Sequence, residues 1–434
     1  MAGAPLARVI ITHSRSLMAL VAAHSLAKKN IEIIGADTVD LTFLSFSKYV
    51  RANFTYQAYQ KNEEAFILDL EKNIIQFKPK NDIPYLLIPS HTETPLISKY
   101  KSRLEKHIIV ACPDYESLNQ LHPKDQFSNT VSKLGIKYPQ TLLSNNLSVD
   151  SDLKFPILVK PIDASGGRGI REVGNSSDLS KAVKDIEEEF NQNSIIQELI
   201  KGDDYCLTVV CKEGEILASA AYTNIQRFPC KTGAGIVREA INPEIFLDSA
   251  TKLMKAVNLT GIAEIDYLWD KKSEPYILEV NPRFGGGIFQ CVESGIDFPA
   301  ILYKIFTNQK IEADVIGQFQ IGTKTKTPIL WLFAALDEML CDEEDFQVIE
   351  NAWLKAAAEL KSGDIYHAII DFKNEIIENF DFRDNIKKFQ KTFSKAFEAK
   401  NELLNKDDPL VIFGLLFIIS SLIKHKKLPA EVLR

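Results

Sequence analysis

Glu279, Asn281 and Arg283 recur at every second residue in the run Tyr276-Ile-Leu-Glu-Val-Asn-Pro-Arg283. Residues two apart on an extended chain share one face, so a carboxylate, an amide and a guanidinium leave the same side. Asp266 lies on the preceding apolar run, Gly261 to Trp269. That run is expected to pair antiparallel with Pro275 to Val280 across the polar turn Asp270-Lys-Lys-Ser-Glu274. Three oxygen-bearing side chains then converge at one end of a hairpin. Mg2+ takes hard oxygen ligands and is commonly held by one or two carboxylates plus substrate phosphates. An arginine beside them can hold a carboxylate or phosphate in bidentate fashion. A solvated acidic face would look similar. However, Ile277, Leu278 and Val280 flank Glu279 and suggest burial, where an unpaired carboxylate is costly.

A second constellation is Ser165-Gly166-Gly167-Arg168-Gly169. Clustered glycines leave backbone N–H groups uncovered and admit a ligand closely, and such nests bind phosphate oxygens. Lys160 precedes the loop at the end of the apolar run Phe155 to Pro161, where its ammonium could meet the same phosphates. Alone, this pattern also fits a flexible hairpin loop. The cysteines Cys206, Cys211 and Cys230 sit on or beside apolar strands and read as core. His13, His24, His91 and His122 show no metal-ligand spacing and read as structural or surface residues.

The elements that must position these groups alternate. Arg8 to Thr12, Ile31 to Gly35, Pro84 to Pro89 and His107 to Ala111 are short apolar runs, and Ser16 to Lys29 carries a helical period. Strands alternating with helices imply a parallel sheet covered on both faces. The first strand–helix turn, Thr12-His13-Ser14-Arg15-Ser16, lacks GxGxxG, which weakens a dinucleotide reading. Beyond Lys124, strands are expected at Phe155 to Pro161, Ser194 to Leu199, Tyr205 to Cys211 and Ile216 to Tyr222. Helices are expected at Leu179 to Phe190 and Pro243 to Val257. Residues after about 330 read mainly as helices.

Composition sets the frame. The chain has 434 residues, 45% hydrophobic and 25% charged, with 51 Lys+Arg against 58 Asp+Glu and a net charge of −7. This is the profile of a globular protein of about three domains. Its mild acidity argues against nucleic-acid binding. The six cysteines form no CxxC pair and read as reduced, mostly buried thiols of a cytosolic protein. The N-terminus has no apolar stretch fit for a signal peptide. The most apolar segment, Leu410 to Ile423, is shorter than the ~20 residues of a spanning helix and reads as a buried helix. The basic Lys424-His425-Lys426-Lys427 after it keeps a membrane-surface reading open.

Glu-Val-Asn-Pro-Arg-Phe-Gly-Gly-Gly, residues 279–287, resembles the metal-binding strand of ATP-grasp enzymes. The nearest look is that of small proteins similar to the large subunit of carbamoyl phosphate synthetase. The likeness runs from about Lys124 to Gly295, and more loosely over the N-terminal domain. Phe155 to Pro161 with its glycine loop looks like the phosphate-grasping hairpin. Ile196-Gln-Glu-Leu-Ile-Lys-Gly-Asp-Asp-Tyr205 looks like the strand and turn that hold adenine and ribose. Gly261-Ile-Ala-Glu-Ile-Asp-Tyr267 looks like the first metal strand.

The resemblance implies a mixed α/β and α+β fold. An N-terminal parallel-sheet domain would cover 1–122 and a two-subdomain ATP-grasp fold 123–328, with its phosphate-grasping part at 155–225. A mainly helical extension would cover 329–434. It also implies ATP with Mg2+ or Mn2+. Lys124, Lys160, Ser165, Gly166, Gly167 and Gly169 would hold the phosphates. Gln197, Glu198, Ile200 and Leu278 would border the adenine, and Asp204 would meet the ribose where relatives usually have Glu. Asp266, Glu279 and Asn281 would be the metal ligands. Arg283 and Arg238, with Arg227 and Lys231 nearby, would hold the acyl phosphate and an anionic substrate.

The activity implied is that of a cytoplasmic carboxylate–amine ligase working through an acyl phosphate. Its partners would be small molecules, without nucleic acid or membrane, and a homodimer is compatible. Two alternatives stay open. One is phosphorylation of bicarbonate or carbamate. The other is a nucleotide-binding regulatory protein that works through its C-terminal region.

Overall fold

Short β-branched runs build the N-terminal sheet of this computed structural model. The structure describes residues 4–146, 154–162, 169–228, 233–312, 316–327 and 406–416, with scattered positions between 330 and 403. Strands β1 (Ala7–Ile11), β2 (Ile31–Asp37), β3 (Val50–Thr55), β4 (Tyr85–Ile88) and β5 (Ile109–Val110) run parallel in the order β3-β2-β1-β4-β5. Val9, Ile10 and Ile11 are all buried, as both faces of such a sheet are covered. The expected helix is Leu17–Ala27, started by Ser16, whose hydroxyl accepts from the Ala19 N–H. Strand order reverses between β1 and β4, and their carboxyl ends flank the crevice where ligands enter sheets of this kind. β3 and the helix Glu63–Gln76 go beyond the expected elements.

A four-stranded sheet follows. It comprises β6 (Thr141–Leu143), β7 (Ile157–Pro161), β8 (Arg171–Val173) and β9 (Ser194–Glu198) in the order β6-β9-β7-β8, with antiparallel pairing. The helix Ser176–Phe190 packs on it through Leu179, Ala182 and Ile186, against Ile157, Val159 and Val173.

The hairpin that carries the acidic residues belongs to a larger sheet. β10 (Asp203–Lys212) pairs antiparallel with β11 (Glu215–Phe228) and with β13 (Gly261–Trp269), and β13 pairs with β14 (Tyr276–Asn281); β12 is Ala234–Ile241. Ala263, Ile265 and Tyr267 of β13 pack on Phe246, Ala250 and Leu253 of the helix Glu244–Ala256. Ile277 and Val280 join the same core. They are three apart, so strict alternation would send them to opposite faces. The register explains the exception: Tyr267 faces Ile277 while Asp266 faces Glu279, so Leu278 is an extra residue. This bulge turns Ile277 inward and leaves Glu279 and Asn281 on the other face.

The chain divides into two compact units. The first contains residues 1–223, 239–323 and 402–434 and holds the elements above, apart from the end of β11 and most of β12. The second contains 224–238 and 324–401. In it, Lys324–Lys326 pairs in parallel with Lys400–Asn401, Val237 packs with Ala396 and Ala399, and the Lys326 ammonium lies 4.9 Å from the Trp331 ring centre. Most of the expected helical extension lies outside the described residues. Of the apolar run Leu410 to Ile423, the described part is a 3-10 helix, Pro409–Leu415, rather than the expected buried α-helix. Leu410, Ile412 and Phe413 are exposed there. Buried Asp408 ties its start to His24 Nε2 (2.9 Å) and the Lys48 N–H (3.0 Å). Among the described residues no helix is long and apolar enough to cross a membrane.

The bulge makes neighbouring residues unequal. Ile277→Ala should cost about 2–5 kcal/mol in chemical denaturation, as for a fully buried isoleucine. Leu278→Ala, at a half-buried position outside that core, should cost less than half as much. The reverse order would contradict the register.

Candidate active site

The hairpin register brings the expected metal ligands together. Asp266 lies directly opposite Glu279, and Asn281 opposite Glu264. The Asn281 Nδ2 donates to Glu279 Oε1 (3.4 Å), and Arg283 Nη2 donates to Asn281 Oδ1 (3.0 Å). Arg283 Nη1 reaches the Phe284 carbonyl at 3.2 Å. Lys124, the first residue of the helix Lys124–Lys133, brings its ammonium 3.7 Å from Glu279 Oε2.

Lys160, on β7, acts on the same carboxylate through its charge. Burial pushes its ammonium down to about 8, against the pull of Glu279. Its Nζ donates to Gln197 Oε1 at 2.7 Å, a diagonal contact between β7 and β9. Gln197 Nε2 in turn donates to Tyr138 Oη (3.0 Å) and Thr141 Oγ1 (2.9 Å). The buried Gln197 amide is thus spent on aiming Lys160, which leaves an adenine only the backbone at this position.

The two facing carboxyls behave differently. Burial opposes ionisation of Glu279, but Lys124 and Lys160 outweigh it and hold this carboxyl below its usual range. Asp266 is pushed well above its range by burial, then by Glu279 and Glu264. The site therefore carries more buried carboxylate than its lysines compensate, and its donors are hard oxygens. This fits Mg2+ or Mn2+, which would be held by Asp266, Glu279 and Asn281.

Other expected residues take varied places. Glu198 Oε2 accepts the Gln140 N–H at 3.3 Å, and Ile200 follows β9, half-buried. Asp204 lies on β10 opposite Leu268, close enough to act on the Asp266 charge. Leu278 is the bulge residue. Gly169 has φ +74, and a Cβ there would come within 2.6 Å of the Phe190 ring, so only glycine fits. Ser165, Gly166, Gly167 and Lys231 lie outside the described residues. Arg227 and Arg238 belong to the second unit, where Arg238 is buried and donates to Thr327 Oγ1 at 3.4 Å.

Two sets of residues were missed. Glu264 is buried two residues before Asp266 and accepts from the Tyr222 hydroxyl at 2.7 Å. Burial pushes the Arg283 guanidinium down, and Glu264 is the first carboxylate to oppose that. The same two-residue period that links Glu279 to Asn281 reveals it. The other set is a cluster that the histidine spacings did not show. His13 and His91 stack with ring centres 4.1 Å apart beside buried Glu93. They come from loops almost eighty positions apart, which no local spacing could join. A cleft of about 800 Å³ is lined by His13, His91 and Tyr56 and also by Lys124, Glu279 and Arg283.

Residues 122–287 match the ATP-grasp domain family, and the chain carries an ATP-grasp domain. The chain is 26% identical over 193 residues to the carbamoyl phosphate synthase large chain, C-terminal section, of Methanopyrus kandleri, covering 41% of this chain and 36% of that one. It therefore spans about a third of the length of that curated relative. Among solved structures, biotin carboxylase from Campylobacter jejuni aligns with a TM-score of 0.58 at 17% identity, covering 73% of this chain and 74% of that one. The L-amino acid ligase from Bacillus licheniformis aligns with a TM-score of 0.58 at 15% identity, covering 73% and 78%. At such identity these two likenesses establish the fold.

The lowered Lys160 has a measurable consequence. ATP phosphates favour the charged ammonium, so binding should take up a proton as pH passes about 8, and affinity should fall above that pH. Calorimetry from pH 7 to 9.5 should show a decline approaching tenfold per unit. Lys160→Arg should flatten the profile, because a guanidinium stays charged. A flat wild-type profile would contradict the placement of Lys160 at the phosphates.

Proposed function

We propose that this protein is an ATP-dependent ligase that activates a carboxylate as an acyl phosphate and transfers the acyl group to an amine. The observation that carries the reading is that Lys124 pairs with Glu279 while the Lys160 charge acts on the same carboxylate, with Asp266 opposite and Arg283 bonded to Asn281. Such a set neutralises phosphate charge without any nucleophilic side chain. Phosphoryl transfer needs mainly that, together with alignment of the attacking oxygen.

The residues divide the work. Lys124 and Lys160 hold phosphate oxygens, and Gln197 keeps Lys160 aimed. Mg2+, when bound, would neutralise phosphate charge and screen the carboxylates from it. Arg283 is fixed by Asn281 and the Phe284 carbonyl, and its fork would hold the acid substrate or the acyl phosphate. Asp204, Glu198, Ile200 and Leu278 would border the nucleoside. The similarity to a carbamoyl phosphate synthase favours bicarbonate or carbamate as a second reading of the acid.

A screen of acids and amines, read as ADP and phosphate release, tests the proposal. Release that needs both an acid and an amine supports a ligase. Release with bicarbonate alone supports the second reading. Glu279→Gln and Asn281→Ala should each abolish turnover and leave the fold intact by circular dichroism. Near-normal activity in either variant would sink the assignment. Arg283→Ala should weaken the acid rather than ATP, by about 2–5 kcal/mol, as for a truncated hydrogen-bonded charge pair. An unchanged response to acid concentration would place the carboxylate elsewhere.

A further inference from the structure

We propose that His13, His91 and Glu93 form a second metal site, for one transition-metal ion of the Zn2+ kind, in the N-terminal wall of the cleft. The inference rests on the N-terminal sheet and stands apart from the ligase reading. His13 lies in the turn after β1, and His91 and Glu93 lie in the turn after β4. These adjacent parallel strands flank the point where the sheet order reverses, the usual ligand crevice of such sheets. The three side chains are buried, and one ligand atom from each lies within 4.8 Å of the others.

Glu93 points most clearly to a cation. Its Oε1 accepts from Thr12 Oγ1 at 2.5 Å, from the Ser90 N–H at 3.3 Å and from the His91 N–H at 3.2 Å. Its Oε2 is buried and has no hydrogen-bond partner; the His13 imidazole Nδ1 lies 3.9 Å away. Ionised, this oxygen lacks a donor; protonated, it lacks an acceptor. Either state is costly for a buried group. Because Oε2 is enclosed, its occupant must be small, which a bare ion satisfies and an alkyl amine does not.

The donor set matches one chemistry. Two imidazoles and a carboxylate are a ligand set of catalytic zinc, which leaves a fourth position open. His91 Nδ1 contacts Thr92 Oγ1 at 3.1 Å, which orients the ring, and Nε2 would be its ligand atom. His13 lines the cleft, so the fourth position would take an oxygen of a carboxylate or phosphate held there. His13 also has φ 54, a left-handed backbone that tends to gather at functional turns. The two rings are stacked, 6° from parallel, so their nitrogens do not yet converge. Tetrahedral ligands at zinc distances stand roughly 3.3 Å apart. Ion entry must therefore turn one imidazole and draw the ligands together.

The test is a titration of chelator-treated protein with Co2+, whose visible absorption reports tetrahedral nitrogen and oxygen ligation. One equivalent should bind with that absorption and be displaced by Zn2+. His91→Ala and Glu93→Gln should each weaken binding by at least about 100-fold, the upper end of what even outer-sphere changes cost. Glu279→Gln should leave the Co2+ signal intact, which separates this site from the nucleotide centre. If a variant fails to fold, imidazole NMR of the wild type decides. Zn2+ should then shift two of the seven histidines and leave the others in place. No tetrahedral absorption, no paired histidine shift, or equal affinity in folded variants would overturn the proposal.

Discussion

Two carboxylates face each other across one hairpin, and the rest of the site is arranged around that repulsion. Asp266 and Glu279 are register partners, so the fold brings their charges close in a half-buried setting. Like charges at such range cannot both ionise freely. The pair splits: Glu279 is held ionised by two lysines, while Asp266 is held towards its protonated form. Each lysine arrives from a different element, Lys124 from a helix start and Lys160 from β7. Two otherwise separate parts of the first unit thus act on one carboxylate, Lys124 at 3.7 Å and Lys160 through its charge. A divalent cation would relieve the same imbalance and let both carboxyls ionise.

The hairpin itself was legible in the chain. Alternating apolar residues from Gly261 to Trp269 and again to Val280, with a polar turn between, left one sensible pairing. Asp266, Glu279, Asn281 and Arg283 followed from strand periodicity. The bulge was not legible, because Leu278 and Ile277 are chemically alike and only their packing on the helix Glu244–Ala256 separates them. The buried Gln197 amide shows a second limit. The family resemblance placed it at the adenine edge, and the structure adds what the chain did not show, that its side chain bonds Lys160, Tyr138 and Thr141 on or beside other strands. Side-chain hydrogen bonds across a sheet depend on register, which one-dimensional spacing does not fix. The meeting of His13 and His91 was hidden for the same reason on a larger scale. Parallel strands place the ends of β1 and β4 side by side, and the loop residues meet only once the sheet exists.

This placement gives the cleft two chemically distinct walls. One carries Lys124, Glu279 and Arg283, suited to phosphate and carboxylate charge. The other carries His13, His91 and Glu93 at the switch point of the N-terminal sheet. Arg283 feels Glu93 as well as Glu264 and Glu279, so the walls also share an electrostatic field. Glu264, fixed by Tyr222 beneath Arg283, belongs to the same field, and Gly285 leaves it room, since a Cβ there would lie within 2.1 Å of its carboxylate.

The central claim is that the Asp266–Glu279 pair, with Lys124 and Lys160, is a metal–nucleotide centre. It is tested most directly by calorimetry of ADP binding with and without Mg2+ at pH 6, in buffers of different ionisation enthalpy. The account predicts that Mg2+ tightens nucleotide binding and that the ternary complex releases a proton, because the metal displaces the one held at Asp266. Equal affinity with and without Mg2+, together with no proton release, would contradict it.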